Sequence, residues 1–99
     1  MIMKKVKISG NIKFNEDAMK YFNFPITSSI RLSFWFPDSK GSTFAQIENI
    51  SQPITVNSSV FVDISIGGQD IFDKGLKKGG QFNLGVFPNV IAVGCIVEV

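Results

Sequence analysis

The chain reads as an all-β domain, either an antiparallel sandwich or a small closed barrel. Three observations predict it. Apolar and polar residues alternate with a period of two over residues 6–14, 30–36 and 60–66, the pattern of strands with one buried face. Turn residues separate these stretches, and no segment carries an amphipathic helical period of ordinary length. Ninety-nine residues, 44% of them hydrophobic and ten of them Phe, give enough apolar surface for one core, so a single domain over 1–99 is expected.

The first strand is expected over residues 3–14, with Val6, Ile8, Ile12 and Phe14 alternating with Lys7, Ser9, Asn11 and Lys13. Gly10 falls on the apolar phase, where it marks a bulge or the close approach of another element. Residues 15–25 form a long, partly helical loop. Asn15 offers a cap, Glu16 and Asp17 suit a first turn, and the segment allows one or two helical turns. Its aromatics Tyr21, Phe22 and Phe24 are expected to plug an end of the core; the alternative is a sticky surface loop.

Ile30, Leu32, Phe34 and Phe36 alternate with Arg31, Ser33 and Trp35 in a second strand that turns Trp35 outward. Pro37-Asp38-Ser39-Lys40-Gly41 stops it, with Asp38 expected to bond the backbone locally. A weaker third strand covers 43–50, and Pro53 ends it. Ile54-Thr55-Val56 then leads into a turn at Asn57-Ser58-Ser59 and the cleanest strand, 60–66. The tract 67–80 holds five of the nine glycines and is expected to anchor itself through Ile71, Phe72 and Leu76. Two strands, 81–86 and 90–99, close the chain through a Phe87-Pro88-Asn89 turn. The last is the most apolar run, expected near the centre of the fold with Cys95 buried among its neighbours.

Little in the chain supports catalysis. There is no histidine, which removes the usual general base and the commonest metal ligand, and one cysteine makes no zinc set. The acid pairs Glu16–Asp17 and Asp70–Asp73 read as capping and loop solvation. Two Gly-Gly-Gln triplets, at 67–69 and 79–81, match a release-factor tripeptide but read as turn glycines, and no phosphate-cradling loop is present. No enzyme activity, cofactor or metal is expected. A lone cysteine fits a reducing, cytoplasmic setting, and neither a signal peptide nor a membrane-length apolar run is visible. The net charge of +2 is too small to mark a nucleic-acid or membrane-surface protein by itself. Lys4, Lys5 and Lys7, and Lys74, Lys77 and Lys78, read as solvated gatekeepers beside apolar strands, with an anion-binding patch as the alternative.

Leu76, Gly79, Phe82, Leu84, Ile91, Gly94, Ile96 and Val99 stand in an order and spacing that resembles the end of the C-terminal (third) barrel of elongation factor Tu and its elongation factor 1A relatives. The ungapped match covers roughly a quarter of the chain. Upstream, residues 60–64, 30–36 and 6–14 fall collinearly with family strands. The resemblance implies a single six-stranded antiparallel β-barrel used as a binding surface. The family's RNA-contacting and domain-packing segments are replaced here by residues 17–21 and 28–32, of which only Arg31 keeps a comparable charge, and its Pro-Gly-Asp turn by Asn57-Ser58-Ser59. With no GTPase domain in these 99 residues, GTP-driven delivery of aminoacyl-tRNA is not expected.

The functional expectation that follows is a stand-alone, translation-factor-like barrel that binds a protein partner as a regulatory, decoy or immunity-type module. Tyr21, Phe22, Phe24 and the outward Trp35 are its expected contact residues, since aromatics dominate protein hot spots. The alternative is RNA or tRNA binding through Lys4, Lys5, Lys7, Lys13 and Arg31 on a strand face. A ligand-holding or enzymatic barrel ranks last, because small barrels are filled by side chains.

Overall fold

The computed structural model describes residues 5–48, 50–67 and 76–99, and these close into a six-stranded antiparallel β-barrel. The strands are β1 (Lys5–Phe14), β2 (Ile30–Trp35), β3 (Thr43–Glu48), β4 (Ser59–Gly67), β5 (Gln81–Val86) and β6 (Asn89–Glu98). They stand in the order β1-β4-β3-β2-β5-β6, and β6 pairs back onto β1 to seal the wall. Closure leaves no strand at an open sheet edge, which selects the barrel over the sandwich.

The two-residue alternation sends Ile8, Ile12, Leu32, Phe34, Ala45, Ile47, Val62, Ile64, Ile66, Phe82, Leu84 and Ile96 inward, and all are buried. Phe34 and Phe82 stack at the centre with their rings 4.9 Å apart and 24° from parallel. Side chains of this size fill the interior of a six-stranded barrel.

Gly94 makes that filling possible. It faces inward opposite Phe82 on β5, and an added Cβ would lie 2.5 Å from Phe82 Cε1 and 2.9 Å from Ile12 Cγ2. The Phe82 ring occupies the space that a side chain at 94 would need. At the corner before β5, Gly79 adopts φ +86°, a left-handed conformation that glycine takes without steric cost. The bulge expected at Gly10 is present as a register shift between Ser9 and Gly10 in the β1–β6 ladder.

Several local expectations are corrected. Cys95 is exposed, because β6 is a wall strand and not a central one: its apolar run splits into an inward set, Ala92 and Ile96, and an outward set, Val93 and Cys95. The turn after β2 is held by Ser39 and not by Asp38, with the Phe36 N–H donating to Ser39 Oγ at 3.0 Å and the Ser39 N–H to the Phe36 carbonyl at 2.9 Å. Residues 54–56, expected only to lead into the next turn, make two isolated bridges. Ile54 bridges to Ile26 and Val56 to Phe14, which tucks Ile26 and Ile54 into the core. Leu76 is buried as expected, whereas Ile71 and Phe72 lie outside the described residues, as do the expected first residues of strand one.

Candidate functional site

β1 delivers the chain into the 15–29 loop at the end of the barrel where β6 begins. Asn15 ties the two together. Its backbone N–H donates to the Ile91 carbonyl at 2.9 Å, and its Nδ2 donates to the Val90 carbonyl at 3.1 Å. The side chain is therefore committed to the β5–β6 hairpin and makes no cap hydrogen bond to the short 3-10 helix it precedes, Glu16–Lys20. That helix buries Ala18 and leaves Met19 and Tyr21 in solvent. Lys20 and Asp17 lie 3.6 Å apart, but both are exposed and such a pair contributes little.

The four aromatics expected at a protein contact separate into two groups. Phe22 and Phe24 pack against the core, Phe24 meeting Phe14 edge-on with centroids 5.5 Å apart; they form the plug. Tyr21 is 44% exposed and lines a cleft of about 150 Å³ with Asn89 and Val90. Trp35 points outward as its phase requires, yet it is only 4% exposed, because the Phe87 ring lies edge-on against it at 5.0 Å. The hairpin tip thus covers Trp35 and presents Val86 and Phe87 in its place. The Asn15 hydrogen bonds tie the loop to this hairpin, and the cleft that Tyr21 shares with it also takes in Asp17 and Lys20.

Sequence reasoning missed Met19, Val86 and Phe87, which lie in a short helix and a turn where no period assigns a face. It also passed over Phe44 and Phe61, exposed on the outer wall. The available signal was that both stand on the polar phase of their strands. Phe44 lays its ring over Gly67 on the neighbouring strand, an aromatic covering a glycine.

The basic residues do not converge to the same degree. Lys4 lies outside the described residues, and Lys5 opens β1. Arg31, Gln46, Ser65 and Lys7 occupy one row across β2, β3, β4 and β1, and Arg31, Lys7 and Lys13 are all exposed. Acids interrupt them. Glu48 Oε1 lies 4.0 Å from Lys7 Nζ and accepts a 2.6 Å hydrogen bond from Ser65 Oγ, while Asp63 accepts one at 2.7 Å from Ser9 Oγ. Lys13 stands six residues beyond Lys7 on β1, about 20 Å away at strand rise.

Among the described residues no group of three His, Cys, Asp or Glu is placed to hold a metal ion, and no helix is long and apolar enough to cross a membrane. No protein-family model matches the chain, and no curated protein matches it.

Proposed function

We propose that the chain is a non-catalytic, cytoplasmic protein-binding barrel of the elongation factor Tu third-domain kind, with a regulatory, decoy or immunity-type role. The observation that carries this reading is the exposure of four large side chains, Met19 and Tyr21 in the 15–29 loop and Val86 and Phe87 in the β5–β6 hairpin to which Asn15 ties that loop, on a barrel whose interior is already filled. Exposed apolar clusters of this kind favour macromolecular contact, and tyrosine is enriched among interface hot spots. Phe22, Phe24 and Trp35 act from beneath: they hold the loop and the hairpin in place and give the surface a rigid backing.

The test compares wild-type protein with Tyr21→Ser and Phe87→Ser in affinity capture from the source cells. A protein captured by the wild type and lost at least tenfold with Tyr21→Ser, while both variants retain their β-sheet circular dichroism, supports the reading. Recovery of RNA alone would sink it. RNA binding is the second reading, favoured by the cross-strand row on the outer wall that runs from Arg31 on β2 to Lys7 on β1. It ranks lower because that row carries its two cations halfway round the barrel and Glu48 and Asp63 lie in a neighbouring row, and it predicts a tRNA gel shift that weakens steeply with salt.

A further inference from the structure

A second surface lies on the outer wall around β6, where the side chains of β1, β6 and β5 border a shallow groove. The strand register fixes its layout. Asn11, Cys95 and Gln81 face one another across β1, β6 and β5, and the next row holds Lys13, Val93 and Asn83. With strands about 4.8 Å apart and side chains on one face about 7 Å apart along a strand, three amides and one ammonium mark the corners of a rectangle about 10 Å by 7 Å. Val93 and Cys95, both exposed, form its floor. The groove so bounded holds about 450 Å³, within the range of sites that take small ligands or short peptides.

Two features of the lining restrict what fits. The side-chain amides of Asn11, Gln81 and Asn83 make no hydrogen bond to any described residue, so each offers both a donor and an acceptor. Lys13 is the one charged residue in the lining, and no carboxylate lines the groove with it. A nucleic acid would call for several cations and an exposed ring to stack on. Here there is one cation, and the lining's one aromatic, Phe82, is buried in the core. A polypeptide main chain also carries one donor and one acceptor at each residue, which the paired amides can meet two at a time. The apolar floor accepts small aliphatic side chains.

We propose that this groove binds a short extended segment of a partner protein, two or three residues long, with an aliphatic side chain on Val93 and Cys95 and one carboxylate on Lys13. Both edges of β6 are already paired within the barrel, so the segment lies on the wall and is held by side-chain amides; it does not add a strand. The inference rests on the protein-binding reading above and names a second contact for it.

A phage-displayed random heptapeptide library panned on the full chain tests this, followed by titration of the enriched synthetic peptides into ¹⁵N-labelled protein. The expected result is enrichment of aliphatic residues beside one Asp or Glu. The side-chain NH₂ signals of Asn11, Gln81 and Asn83 should shift on titration, and affinity should fall at least tenfold in Asn83→Ala and in Lys13→Glu. Exchanging the acidic residue of the peptide for Lys should restore binding to Lys13→Glu, which guards against a loss caused by misfolding. Peptides whose shifts map to Tyr21 and the hairpin tip overturn the groove proposal and leave the protein-binding reading standing. Failure to enrich any peptide overturns the groove proposal, and if affinity capture also yields no protein the broader reading falls with it.

Discussion

Adding one methyl group at Gly94 probes the packing that lets six strands close around a stacked Phe34–Phe82 pair. An alanine Cβ there would lie 2.5 Å from Phe82 Cε1 and 2.9 Å from Ile12 Cγ2, so the ring must retreat by about 1 Å to reach an ordinary carbon contact of about 3.5 Å. It has little room to do so, because its other face rests on Phe34 with centroids 4.9 Å apart, and both rings are almost wholly buried. Overpacking of this kind costs about 1–3 kcal/mol. For a domain of this size each kcal/mol lowers Tm by about 4–8 °C, so Gly94→Ala is expected to melt about 4–24 °C lower than wild type. Urea unfolding followed by circular dichroism measures the change as a lower midpoint at constant slope. The mechanism is isolated by repeating the substitution with Phe82→Leu, which removes the Cε1 and Cζ atoms in the way. The cost of the methyl should then fall by at least about 1 kcal/mol, beyond the 0.5 kcal/mol or so expected of independent sites. An additive double mutant, or a neutral Gly94→Ala, would refute the close approach of Phe82 to this backbone.

Three further outcomes follow from the described contacts. Trp35 is the sole tryptophan and is shielded by Phe87, so its fluorescence should be blue-shifted and resistant to iodide; Phe87→Ala should red-shift it and raise the quenching constant severalfold, and an unchanged spectrum would count against the cover. Ser65 is buried and donates to the Glu48 carboxylate, so Ser65→Ala should cost about 1.5–3 kcal/mol, the range for hydrogen bonds to charged groups, measured by chemical denaturation. Cys95 stands exposed on the outer wall and should react fully with Ellman's reagent in the folded protein. A thiol that reacts only after denaturation would return it to the core.

Inward positions on the strands were legible because the alternation at Val6–Phe14, Ile30–Phe36 and Val60–Ile66 ties each side chain to a face through the pleat itself. The terminal hairpin was legible for the same reason, helped by Gly79 and Gly94, whose lack of a side chain marked a corner and a close contact. The candidate site was less so. Tyr21 could be named because it is an aromatic in a loop, but the loop's chemistry did not distinguish it from Phe22 and Phe24, which pack inward on Phe14 and the core. Asn15 looked like a helix cap, and only the arrival of β6 beside it supplied the Val90 and Ile91 carbonyls that claimed its side chain and backbone.

By itself the sequence determined that this protein is an all-β domain with a core rich in phenylalanine. Those properties depend on local pattern and residue type, which neighbouring strands cannot reverse. Only the tertiary structure decided which outward groups meet solvent and which meet one another. Trp35 has the phase of a surface residue but is covered by a ring fifty-two positions later, and Cys95 sits in the most apolar run yet faces out. The groove over β6 likewise assembles Asn11 and Lys13 with Gln81, Asn83 and Val93, residues some seventy positions apart. Barrel closure sets these juxtapositions, through the order and register in which the strands pair, and no period read along the chain encodes either one.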